Sequence, residues 1–206
     1  MNTRLVWNFE INQNNLLNFE NLSAEREDIR WEARYFWPGE TIISLNGLDE
    51  RFLALSDYEA KHRQDRYALL ANHNFNIKQR RMQWLYKPLF AEVEGLRAYG
   101  KKIDLDECLA DEILPGSNGV RAQDLIEQIE KNQTTVDLVK EALIYKFPSE
   151  PTIKLELARL KLKEAVYFSL CVEGRSQFLV SLIAKHLLGT QVSCDYVSFL
   201  KQSLTL

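Results

Sequence analysis

Residues 74–89, NFNIKQRRMQWLYKPL, contain Lys78, Arg80, Arg81 and Lys87 and no carboxylate. The wider window 66–91 holds five bases and no acid. Neighbouring like charges repel unless something neutralises them, and a solvated protein face ordinarily mixes Lys with Glu and Asp. Arg and Lys gathered around a phosphate make charge-assisted hydrogen bonds, with Arg supplying a planar fork. Residue types and spacing therefore point to an anion, phosphate above all. Further along, Arg159, Lys161 and Lys163 form a second column of cations at strand spacing. The plainer alternative is a set of half-exposed strands whose charged faces meet water.

Carboxylates are the second chemical signal. Glu32 lies between Arg30 and Arg34, and Glu92 and Glu94 end the segment that carries Lys87. Alternating glutamates on a strand face can hold Mg²⁺ or Mn²⁺, which prefer oxygen and can bridge a bound phosphate. Glu156 and Glu173 can join such a set only where the fold brings them in. His62, His73 and His186 have no partner at ligand spacing and read as structural or surface residues. Cys108, Cys171 and Cys194 form no CxxC pair and read as reduced thiols. No nucleophile elbow, Walker loop or HExxH motif is present.

Strands are the elements best suited to line charges up in columns. Arg30, Glu32 and Arg34 alternate with Trp31, Ala33 and Tyr35, which puts charge on one face and bulk on the other. This strand-like run extends from Ile29 to Leu45 and is interrupted by a Pro38-Gly39 turn. LVWNFEI reads as a short strand in a polar lead-in, GLDERFLALSDYEAKH as a short helix, and DRYALL, FNIKQR and QWLYKPLFAEVEG as strands. VRAQDLIEQIEKN and TTVDLVKEAL read as helices, which makes 104–146 a helical insert within a single domain spanning 1–206. TIKLELARLKLKEAVYFSLCVEG reads as two strand-like halves with a bulge or turn near Ala158, with a helix as the alternative because Leu, Lys, Glu, Ala and Arg all form helices well. RSQFLVSLIAKHLLG reads as a final strand running towards a helix, and SCDYVSFLKQSL as a closing helix.

The chain has 206 residues, 46% of them apolar, and a formal charge of −3. These values suit one packed core and argue against a general nucleic-acid binder. No stretch resembles a signal peptide or reaches transmembrane length, so the expected setting is cytoplasmic, with no membrane association.

The order of these segments resembles the CYTH, or triphosphate tunnel metalloenzyme, superfamily. RWEARYF lies where that family has ExExK, and HRQDRYAL where it has a QxDxYY-like strand. NIKQR matches the basic LRIR-like strand, WLYKPL the LTYKGP-like strand, and SLCVEGRSQFLVSLI the closing element. The resemblance implies an α+β fold, with an antiparallel β-barrel or strongly curved sheet, the helical insert and a C-terminal helix. It further implies a charged tunnel that grips a triphosphate, polyphosphate or phosphorylated small molecule. Arg34, Lys78, Arg80, Lys87, Arg159 and Lys161 would then hold phosphate, and Glu32, Glu92 and Glu94 would hold Mg²⁺ or Mn²⁺. The departures fall on the acids. Arg30 replaces the first, Val180 and Leu182 stand where the last two are expected, and no aspartate lies beside Cys171. The expectation is anion binding with at most residual metal-dependent phosphohydrolase activity. A rival reading is a protein-interaction module that docks a partner through the insert and its acidic DLDECLADE stretch.

Overall fold

The computed structural model describes residues 2–19, 22–131 and 134–204. Strands β1 (Asn2–Val6) and β2 (Phe9–Asn12) form an antiparallel hairpin. After β3 (Arg30–Pro38), strand β4 (Ile43–Asn46) runs parallel to β2 and completes a three-stranded sheet. Two short 3₁₀ turns, Glu50–Leu53 and Leu55–Asp57, stand where a helix was expected. Next come β5 (Glu59–Ala68), β6 (Asn76–Arg80), β7 (Gln83–Lys87), β8 (Leu89–Val93), β9 (Leu96–Tyr99) and β10 (Ile103–Asp104). Helix α1 (Ala122–Lys131) precedes the long strands β11 (Thr135–Lys146), β12 (Lys154–Leu162) and β13 (Ala165–Gly174). Helices α2 (Gln177–Leu188) and α3 (Tyr196–Ser203) follow.

Ten strands form one antiparallel sheet in the order β10-β7-β6-β5-β11-β12-β13-β3-β9-β8. The fold is α+β, and the sheet curls strongly because of one ribbon. Strands β7–β10 are a single long hairpin. Its base half, β7 with β10, pairs with β6 at one end of the sheet, and its tip half, β8 with β9, pairs with β3 at the other. Only Pro88 separates β7 from β8, so the two ends of the sheet must approach each other. Proline has no N–H to give a ladder, which suits it to this bend, and Gly100 N–H donates to the Pro88 carbonyl at 3.0 Å across it. The 114–120 loop presses on the same bend. A Cβ on Gly116, whose φ is +67°, would lie 2.4 Å from the Leu89 carbonyl oxygen.

Three readings of the sequence change here. TTVDLVKEAL lies in β11, at the centre of the sheet. Its buried Val136, Leu138, Lys140, Ala142 and Ile144 alternate with more exposed residues, and sheet burial on this period-two pattern overrides the helix-forming Lys, Glu, Ala and Leu. Of the described residues of the proposed insert, only a 3₁₀ turn at Leu105–Glu107 and α1 are helical. Strand β12 runs without a bulge, in unbroken register with both neighbours. Its apolar residues change phase because the two faces serve different cores. Leu155 and Leu157 pack outward in the cluster that includes α2, whereas Leu160 and Leu162 pack inward with α3. The run read as a final strand running towards a helix is helical throughout Gln177–Leu188 as α2, capped by Ser176 and ended by Gly189 at φ +62°. It buries Leu179, Val180, Ile183 and Leu187 against the outer face. Val180 and Leu182 thus lie on a helix outside the sheet. Among the described residues, no helix is long and apolar enough to cross a membrane.

Candidate functional site

The concave side of the sheet has two halves. In one, Leu138, Leu160 and Leu162 meet Val197, Phe199 and Leu200 of α3, so the helix fills the bore. Residues 193–195 feed it in. The Arg34 N–H donates to Ser193 Oγ (3.1 Å), and Cys194 N–H donates to the Arg34 carbonyl (2.7 Å), along the stretch of β3 that β9 leaves uncovered. Asp195 caps α3, accepting from the N–H groups of Val197 (2.8 Å) and Ser198 (3.0 Å).

The other half is a cavity of about 400 Å³ lined by eleven Lys and Arg residues and four acids. Period two delivers them. Glu32 and Arg34 come from β3, Lys61 and Arg63 from β5, Lys78 from β6, Lys87 from β7, Lys140 from β11, and Lys154 and Glu156 from β12. Tyr67, Tyr99 and Tyr196 also line it.

Its deepest layer is a network of buried charges. Arg34, Lys78 and Lys140 oppose Glu32, Asp65 and Glu156, each at most 8% exposed. Lys140 Nζ donates to both Glu156 oxygens (2.9 and 2.8 Å), and Arg34 Nη1 donates to Glu156 Oε1 (3.0 Å). Burial alone would raise the Glu156 carboxyl, but these two cations hold it well below the usual carboxylate range. The Arg34 guanidinium lies 4.6 Å from the centre of the Tyr196 ring, and its Nε is buried without a hydrogen-bond partner. Lys87 pairs with Glu32 and sits 3.8 Å from the centre of the Tyr99 ring. Burial pushes Glu32 up, and Lys87 and Arg34 more than reverse it.

Asp65 shows where charge is in excess. Arg80 grips it with two hydrogen bonds (2.6 and 2.7 Å) and Lys78 adds a third (2.7 Å). Burial would raise this carboxyl, yet Arg80 and Lys78 bring it down to about 2. One carboxylate serves two cations, and the surplus falls on Lys78. Its pKa drops to about 7 through burial and through repulsion from Lys102 and Arg80, which Asp65 only partly offsets. Lys102 is lowered to about 8, first by burial, then by Arg80, Lys87 and Arg63. Among the described residues, Arg63, Lys102 and Arg175 line the cavity with no carboxylate in ion-pair range.

Of the six residues expected to hold phosphate, Arg34, Lys78 and Lys87 line the cavity. Arg80 stands behind Lys78, engaged by Asp65. Arg159 and Lys161 lie on the opposite face of β12. Arg159 is 47% exposed and paired with Glu141, and Lys161 stands exposed beside it. The odd-numbered residues of β12 point outward, so these two cannot converge with Lys154 and Glu156. Missed by the sequence reading were Arg63, Lys102, Lys140, Lys154 and Arg175. The alternation of Lys61, Arg63, Asp65 and Tyr67 could have revealed the first, whereas the helical reading of β11 concealed Lys140.

The three expected metal ligands do not come together. Glu32 is inside, against Lys87; Glu92 is an exposed partner of Arg97 at 2.8 Å; Glu94 sits at the hairpin tip, 3.4 Å from Lys185. Glu156 and Glu173 do reach the cavity, and Glu173 stands opposite Glu32 in register. Each is held by a cation, and among the described residues no group of three or more His, Cys, Asp or Glu is arranged to hold a metal ion. These residues do not fit Mg²⁺ or Mn²⁺, which would need several free oxygens converging on one point.

No family model matches the chain, and no curated protein matches its sequence. Among solved structures it is similar to one described as a putative adenylate cyclase from Bacillus halodurans. That likeness has 10% identity and a TM-score of 0.36, and covers 75% of this chain and 86% of the other. A likeness this loose carries no functional argument. The strongly curved antiparallel sheet expected from the sequence is present, and half of its concave side is charged.

Proposed function

We propose that this protein binds a short linear polyphosphate, free or as the phosphate arm of a small molecule, in the cationic half of the bore. One observation carries the reading: eleven basic side chains and four acids line a single recess. Five of the eleven, Arg63, Lys101, Lys102, Lys154 and Arg175, have no carboxylate in ion-pair range among the described residues. Such a surplus inside a low-dielectric wall attracts a compact polyanion and costs stability without one. The unpartnered Nε of Arg34 supports the same reading, because a buried guanidinium N–H left without an acceptor is costly. The CYTH-like motif order adds the expectation of triphosphate.

Binding, and not hydrolysis, is the reading the site supports best. The carboxylates that could assemble a metal are each held by a cation, and phosphoryl transfer relies heavily on metal charge. The test is calorimetry with tripolyphosphate, alongside phosphate-release assays in Mg²⁺ and Mn²⁺. Micromolar or tighter binding that weakens about tenfold or more in Arg34→Met or Lys87→Met would bear the reading out. Indifference to tripolyphosphate, inorganic pyrophosphate and nucleoside triphosphates alike would reject it. Steady phosphate release that needs metal would make the protein an enzyme.

A further inference from the structure

Glu32, Glu156 and Glu173 come from three neighbouring strands, and all three line the cavity. They are the glutamates of the cavity wall, and they are not arranged as a metal site. Each already has a cation against it. Lys87 sits on Glu32, Lys140 spans both oxygens of Glu156 while Arg34 takes one of them again, and Arg30 lies 3.5 Å from Glu173. Lys140 and Arg34 are themselves buried, so neither can swing out to bulk water when a metal arrives. A dication entering here would displace these contacts and meet several positive charges within a few ångströms. That interaction grows more unfavourable as the surroundings become less polar.

Given the polyphosphate reading above, we propose that the cavity takes its ligand as the metal-free polyanion, with Lys87, Lys140 and Arg34 supplying the positive charge that a divalent ion would otherwise bring. Glu32 and Glu156 then act as clamps that hold those cations in place while the cavity is empty. An incoming phosphate competes with the carboxylates for the same N–H donors. A metal bound to the phosphate would hide the oxygens those donors need, so the metal complex is the wrong ligand.

Two measurements test this. Tripolyphosphate is titrated calorimetrically in EDTA and again with Mg²⁺ in excess of the ligand, and Mn²⁺ alone is titrated against the protein by electron paramagnetic resonance. The proposal expects full affinity in EDTA, a loss of about tenfold or more with excess Mg²⁺, and no bound Mn²⁺. Binding that appears or tightens only with Mg²⁺ or Mn²⁺ would overturn it and leave the polyphosphate reading standing. No binding in either buffer would overturn both. Glu156→Gln separates the roles of the acid at nearly constant shape. A clamp predicts tighter tripolyphosphate binding in EDTA and a larger ligand-induced rise in melting temperature, because Lys140 and Arg34 are released to the ligand. A metal ligand predicts weaker, metal-insensitive binding. Glu32→Gln, which leaves the contacts of Arg34 and Lys140 with Glu156 intact, serves if the first variant does not fold.

Discussion

The two halves of the bore share β3, β5, β11 and β12 and differ in what those strands point inward. On β11, Leu138 faces α3, and Lys140, two residues on, faces the cavity. On β12, Leu160 and Leu162 lie in one half and Lys154 and Glu156 in the other. The apolar half is filled, and dispersion and burial hold it together. The charged half is open, and its buried charges can at best balance one another. Stability is therefore concentrated at one end of the bore and recognition at the other, with Tyr196 at the boundary between them.

The largest expected effect tests the filled half. Leu200→Ala removes a fully buried side chain of α3 and should cost about 2–5 kcal/mol by denaturant unfolding. Tripolyphosphate affinity of the folded fraction should hold, because Leu200 does not line the cavity. A parallel loss of affinity would erase the division between the halves.

A second test sharpens it through pH. Lys78 near 7 and Lys102 near 8 lie well below the ordinary lysine value of 10.5 because the free cavity disfavours their charge. A bound anion favours it, raising both values, so binding should take up protons and affinity should fall as pH rises through 7 to 8. For folding the sign is opposite. An unfolded lysine holds its proton to higher pH than Lys78 does in the fold, so this group's contribution to stability grows as pH rises from about 7 towards 10.5. Calorimetry at pH 7.5 in buffers of different ionisation heat should show the uptake, reduced in Lys102→Gln. Identical heats after correction would contradict it.

The smallest effect is on the outside of the same strand. Arg159→Ala with Lys161→Ala should change stability by no more than about 0.5 kcal/mol and leave tripolyphosphate affinity unchanged. Weakened binding would mean that phosphate also meets the convex face.

Period two made much of this legible before any coordinates. Arg34, Lys78 and Lys87 share the cavity because alternation on β3, β6 and β7 puts charge and bulk on opposite sides. The same rule misled at Arg159 and Lys161, because alternation assigns residues to faces without saying which face is concave. β12 reads as broken because its apolar residues follow two cores, one under α2 and one around α3, and a single sequence cannot announce a switch of that kind. β11 hides Lys140 among strong helix formers, and only its place between β5 and β12 makes it a strand. Glu92 and Glu94 have the spacing of a ligand pair, but a turn at Glu94, with φ +50°, carries them apart.

The ribbon of residues 83–104 has a further consequence for association between molecules. Because one hairpin supplies both ends of the sheet, the outermost strands are the two-residue β10 and the short β8. β8 is flanked by Pro88, carries Glu92 and is irregular between Leu89 and Ala91. Short length, a proline, a charge and a bulge are the devices that deny a neighbouring chain a template for intermolecular strand pairing. A sheet of ten strands thus offers a neighbouring chain almost no free border to pair with.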